Sequence, residues 1–156
     1  VWCERLFSPW PDLDKVMREK KIPLFALESQ EPIRDFDFLG ITIGYEMCYT
    51  NILQVLDLSG IPLKSADRGE DFPIVIGGGA CAYNPEPLAP FFDMFYIGEG
   101  ETVYDALFDA YKAELRLSVQ QLSYGRKSRL HAAQDICFEP LQCGFRGHQA
   151  ACERGT

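Results

Sequence analysis

Histidine is nearly missing from this chain: His131 and His148 are the only two in 156 residues. No Ser–His–Asp or other nucleophile–base constellation can be assembled from the residues before them. Long apolar runs are missing as well. The longest cluster, Phe72–Ala82, is short and interrupted by glycine, whereas a membrane helix needs ~20 apolar residues. Positive charge is scarce, with 15 Lys and Arg against 23 Asp and Glu, a net charge of −8. Phosphate backbones are met by clustered Lys and Arg, so no nucleic-acid partner is expected. The nucleotide motifs G-x-G-x-x-G and G-x-x-x-x-G-K-[ST] do not occur. No basic-then-apolar leader opens the chain, and a start at Val1 leads us to expect that the true beginning lies upstream. These absences predict no membrane partner, and six cysteines in a chain this long, unlike a short secreted Cys-dense one, predict a reducing cytoplasm.

What is present describes a folded protein. Hydrophobic residues make up 47% and charged residues 24% of the chain, close to the globular average. The charge is uneven. Residues 1–111 hold 8 basic and 19 acidic side chains, and residues 112–156 hold 7 and 4. The hydrophobic periodicity fades at the same place. The reading is an ordered acidic domain at 1–114, followed at 115–156 by a basic, Cys-containing tail that is disordered or frame-shifted.

The six cysteines are Cys3, Cys48, Cys81, Cys137, Cys143 and Cys152. The first three sit in or beside apolar runs, where a thiol acts as a small buried hydrophobe. Cys137, Cys143, His148 and Cys152 are zinc-type ligands, but they lack the tight C-x(2–4)-C pair with which zinc sites usually begin. The acidic residues Asp35, Asp37, Asp67, Glu70 and Asp71 read as a solvated face.

Strand and helix signals alternate along the domain. Cys3–Phe7 is a candidate strand, and Pro11 opens a helix with Leu13, Val16 and Met17 on one face. Leu24–Leu27 is a short extended run and Phe36–Ile43 a candidate central strand. A helix from Tyr49 ends at Gly60 with Pro62 beyond it. Pro73–Ile76 is a strand, 84–92 a proline-rich helical turn or two, Met94–Ile97 a strand, and a helix follows from Glu101. The fold class is α/β: an open, mostly parallel sheet with helices on both faces.

Two glycine-rich turns follow strands directly: Gly77-Gly78-Gly79, and Gly98-Glu99-Gly100-Glu101. Ligands of open α/β sheets bind beyond the carboxyl ends of the strands, where both turns would lie. The first allows a close backbone approach. The second adjoins a helix N-terminus that favours anions, although Glu99 and Glu101 already place negative charge there. Both are equally readable as tight strand-to-helix turns.

The segment PIVIGGGACAYNPEPLAPFFDMFYIGEGE, Pro73–Glu101, carries a Gly-Gly turn, Asn84-Pro85-Glu86, Asp93 and a Gly-Glu-Gly-Glu turn. It resembles the end of the cobalamin-binding-like, Rossmann-type domain that precedes the catalytic core of many radical S-adenosylmethionine (radical SAM) proteins. The upstream segments ERLFSPWPDLDKVMREKKIPLFALES and RDFDFLGITIGYEMCYTNILQVLDLSGIPL are similar to one bacterial subfamily of poorly characterised function. The resemblance covers about residues 2–113. It implies an accessory N-terminal domain that is not catalytic alone, and whose partner is the radical SAM barrel of a longer parent protein. It also implies cobalamin as a candidate cofactor, with Thr50 and Gly77-Gly78 along its nucleotide tail.

Three features of the family pattern are absent. The Asp-x-His-x-x-Gly motif that gives cobalt its lower histidine is missing. The first strand–helix unit would have to precede Val1, and a sheet without it would expose an apolar edge that invites association. The cluster-binding Cys-x-x-x-Cys-x-x-Cys is also missing, so an iron–sulfur cluster and S-adenosylmethionine belong to the part of the parent beyond this fragment. The alternatives are a stand-alone cofactor- or nucleotide-binding module and a small zinc-binding interaction protein.

Overall fold

The computed structural model describes residues 1–121 and 134–139. Strand β1 (Trp2–Phe7) gives way to the Ser8-Pro9-Trp10-Pro11 run, and helix α1 (Pro11–Lys20) begins on its second proline. Proline suits that position because the first helical N–H has no intrahelical acceptor to lose. Asp12 and Asp14 occupy the first turn and Arg18 and Lys20 the last, in accord with the helix dipole. Lys21 closes the helix in the left-handed region at φ 55°. Of the expected apolar face, Met17 is buried while Leu13 and Val16 stay exposed.

The remaining elements are β2 (Phe38–Thr42), α2 (Tyr49–Leu58), β3 (Ile74–Gly78), β4 (Met94–Phe95), α3 (Tyr104–Gln121) and β5 (Gln134–Glu139). They form a five-stranded sheet in the order β1-β5-β2-β3-β4. Every pairing in it is parallel, so the expected α/β class is the observed one. Leu39, Ile41 and Val75 join Met17, Ile52, Val55 and Leu56 in one buried core, which α1 and α2 cover. Phe38 alternates to the other face, where it meets Phe108 and Tyr111 of α3 at ring-centroid distances of 5.6 and 4.7 Å. Helices therefore lie on both faces. A polar seam ties α1 to α2: Arg18 pairs with Asp14 at 3.0 Å and with Asp57 at 2.6 Å.

One expectation is corrected. Leu24–Leu27 is not a strand; it contributes one antiparallel bridge, Phe25 to Pro32, because Gln30 at φ 61° turns the chain back. The helical turn expected at 84–92 is present as a 3-10 turn at Ala89–Phe91, which follows another at Ala80–Tyr83; the prolines there remove the donors a longer helix would need. Within the segment read as a tail, α3 continues to Gln121 and Gln134–Glu139 enters the sheet between β1 and β2. That strand pairs over six residues with β1 and four with β2. Cys143, His148 and Cys152 lie outside the described residues, as does most of the tail.

Both sheet edges are blunted. On β1, the Arg5 N–H donates to Glu28 Oε2 at 2.8 Å and the Arg5 carbonyl accepts from the Leu27 N–H at 3.0 Å. Glu4, 1% exposed, accepts from Trp2 Nε1 at 2.8 Å and from the N–H and hydroxyl of Ser29 at 3.0 and 2.7 Å. Segment 27–29 thus occupies the outer edge of β1. At the opposite edge β4 is two residues long. The open apolar edge expected from the sequence is absent among the described residues, in keeping with how sheets avoid edge-to-edge pairing.

Candidate functional site

Because all the strands are parallel, every strand exit faces one edge of the sheet. Both glycine turns lie there, side by side: the Tyr96 N–H after β4 donates to the Gly77 carbonyl at 2.8 Å. Thr50 stands exposed in the first turn of α2, at the same edge. The structure thus brings Thr50, Gly77, Gly78, Gly79, Gly98, Glu99, Gly100 and Glu101 to one side of the molecule.

The glycines have internal reasons to be glycine. A Cβ on Gly77 would lie 2.7 Å from the Phe95 ring and 3.0 Å from Phe92. Those two rings pack at 4.8 Å over the buried glycine. Gly79 adopts φ 95°, and a Cβ there would approach the Ile43 carbonyl to 3.0 Å. Ile43 in turn holds the turn in place: its N–H donates to Gly78 at 2.7 Å and its carbonyl accepts from Cys81 at 3.0 Å. A Cβ on Gly100 would meet the Tyr104 ring at 2.6 Å, and Gly98 sits at φ 130° beside Tyr96.

A small group of titratable side chains gathers where β2 and β3 end. The Cys48 thiol is buried and donates to the Tyr45 carbonyl at 2.9 Å. Burial, with Glu46 and Cys48 nearby, raises the Cys81 pKa above its ordinary value. Burial likewise raises Tyr49, with help from Cys81, Glu46 and Cys48. A thiol kept protonated in this way is a poor nucleophile and a poor metal ligand. Among the described residues no group of three or more His, Cys, Asp or Glu could hold a metal ion.

The notable buried ion pair was not evident from the sequence. Arg68, in the loop before β3, pairs through Nη1 with Asp93 Oδ2 at 2.6 Å, and its side chain is 3% exposed. It also donates to the carbonyls of Pro62, Leu63 and Phe91. Burial pushes the guanidinium pKa down while Asp93 opposes the shift. Asp93 Oδ2 accepts the Val75 N–H at 2.7 Å, so the acidic residue of the family-like segment is part of the scaffold.

These residues do not fit cobalamin. The space left by Gly77 is taken by the protein's own phenylalanines. The described segments leaving the strands, 8–12, 43–50, 79–88 and 96–102, contain Asp12, Glu46, Glu86, Glu99 and Glu101 and no Lys, Arg or His. A ligand with a phosphodiester would meet only like charge from them. Among the described residues the edge therefore offers no histidine for cobalt and no basic side chain.

A concavity lies beside the exit of β1. It has a volume of about 690 Å³ and is lined mainly by apolar side chains, among them Phe7, Trp10, Leu13, Leu24 and Phe25. No helix among the described residues is long and apolar enough to cross a membrane.

The chain is 32% identical over 85 residues to an uncharacterized protein of Methanocaldococcus jannaschii; the match covers 54% of this chain and 18% of that protein. The chain thus spans less than a fifth of the length of this relative. No solved structure matches it. The family described as radical SAM proteins, N-terminal, matches residues 1–137, a span that takes in β1 through α3 and enters β5. The chain belongs to the family of N-terminal domains of radical SAM proteins.

Proposed function

We propose that this chain is a cytoplasmic accessory domain of a radical SAM enzyme, one that supports the catalytic barrel and does not catalyse by itself. The family match over residues 1–137 carries this reading. In the parent protein, three cysteine thiolates would hold a 4Fe–4S cluster, and that cluster, once reduced, would supply the one electron that splits S-adenosylmethionine into methionine and a 5′-deoxyadenosyl radical. No Cys-x-x-x-Cys-x-x-Cys occurs in these residues, so that chemistry would belong to the part of the parent beyond them. We read the domain as a Rossmann-like scaffold without resident cobalamin, on the packing of Gly77 and the acidic carboxyl edge. The test is to express the gene with its flanking sequence anaerobically and assay bound iron and release of 5′-deoxyadenosine. Both are expected from the longer product and neither from the 156-residue chain. A longer product with no iron and no cleavage would overturn the reading.

A further inference from the structure

The carboxyl edge has a second property besides its acidity. Each described strand exit carries a large apolar side chain that the fold leaves exposed: Trp10 after β1, Tyr45 and Met47 after β2, Tyr83 after β3 and Ile97 after β4. Met47 is 80% and Tyr83 74% exposed. Single exposed apolar residues need no explanation, but one at each exit along a single edge forms an interaction surface. The same exits hold five acidic and no basic residues. Lys21, Arg34, Lys64 and Arg68 lie in segments 21–37 and 59–73, which lead into β2 and β3 at the opposite edge and hold seven acidic residues as well.

We infer that the carboxyl edge is a protein-docking face, and that its occupant is the catalytic part of the radical SAM protein, presenting an apolar surface edged with Lys and Arg. This rests on the proposed function. Two observations select the occupant. The relative from M. jannaschii has more than four-fifths of its chain outside the match, which is ample for a partner domain. Two copies meeting edge to edge would set the five carboxylates of one against those of the other, and like-charge juxtaposition disfavours wrong partners. An anionic cofactor is disfavoured for the same reason. Aromatic and methionine side chains are the types enriched in interface cores.

The chain contains its own probes. Met47 is 80% exposed and Met17 2%. Anaerobic carbene footprinting of the 156-residue chain and of the full-length radical SAM protein reads both, and Met17 reports that the domain is folded in each. Met47 is expected to label strongly in the isolated chain and as weakly as Met17 in the full-length protein. Tyr83 should follow Met47, while Leu63 at the opposite edge should label alike in both. The double variant Glu46→Lys, Glu86→Lys should restore Met47 labelling in the full-length protein. If Met47 labels equally in both while the full-length protein holds iron and cleaves S-adenosylmethionine, the docking inference fails and the functional reading stands. If protection appears in the isolated chain and grows with concentration, a second copy is the occupant and the inference is overturned. If the full-length product lacks iron and cleavage, the functional reading fails and the inference falls with it.

Discussion

Arg68 and Asp93 meet at 2.6 Å, and their pair joins the loop before β3 to the segment that leads into β4. The bond positions backbone on both sides. Asp93 exchanges hydrogen bonds with Val75 through its N–H and its carboxylate, and Arg68 gathers three loop carbonyls. Removing one partner leaves a buried charge unpaired, so Arg68→Ala is expected to cost about 3 kcal/mol, the lower end of the usual range because the Asp93 side chain is 28% exposed. Arg68→Lys should recover only part of that, because an ammonium cannot span the same carboxylate and carbonyls. Denaturant midpoints of both variants test this. A loss no larger than that of the surface change Glu70→Ala would refute the clamp.

Gly77 separates a packing role from a ligand role. A Cβ there overlaps Phe95 and Phe92, so Gly77→Ala is expected to destabilise the protein by about 1–3 kcal/mol through overpacking. Adding Phe95→Leu should recover part of the loss, since the nearest clash is with that ring. A double-mutant cycle on thermal unfolding measures the coupling. Zero coupling, with full stability in Gly77→Ala, would mean that the glycine is kept for something outside the protein.

Much of the architecture was legible in local chemistry. Pro11 with Asp12 and Asp14 marked the start of α1, and Gly60 at φ 67° marked the end of α2. The apolar stretches around β2 and β3 were long enough to read as strands. Strand β5 was not legible. Gln134-Asp135-Ile136-Cys137-Phe138-Glu139 has a short apolar middle, and its place between two strands comes from backbone pairing on both sides, which leaves no side-chain pattern to read. Glu4 left a faint signal, since it shares a strand face with buried Leu6 and a buried carboxylate needs donors. Arg68 left none, because a charged residue in a charged loop looks solvated. The glycine turns were found, but their purpose was not: the rings that need Gly77 to be small are 15 and 18 residues away in sequence.

The outer edge of β1 should respond to acid. Burial pushes Glu28 up, but the Arg5 N–H and guanidinium prevail and hold its carboxyl below the ordinary 4.5. A lowered folded pKa stabilises the protein above the unfolded value, and the contribution is lost as the pH falls from 4.5 through the lowered value. The pair is partly exposed, so its contribution is about 0–1 kcal/mol. Urea midpoints of the unmodified protein and Glu28→Gln should differ slightly at neutral pH and converge in acid. A difference that persists unchanged into acid would remove Glu28 as the titrating group. Because the same carboxylate occupies the Arg5 N–H, Glu28→Ala, which removes the acceptor, should also show more concentration-dependent association by light scattering.

Cobalamin is the sharpest negative test of the carboxyl edge. Its phosphodiester would face the carboxylates of Glu46, Glu86, Glu99 and Glu101, and residues 1–114 contain no histidine to reach its cobalt. Titrating hydroxocobalamin into the folded chain should therefore give no saturable change in the visible spectrum and no binding heat. A histidine ligand would shift that spectrum, and tail binding without a ligand would still release heat, so the two measurements together cover both modes. Saturable binding that is lost in Gly78→Val would restore the glycine turn as a cofactor cradle. Binding unchanged by Gly78→Val would place the cofactor elsewhere, with the apolar concavity near Phe7 and Trp10 the next position to test by Trp10→Ala.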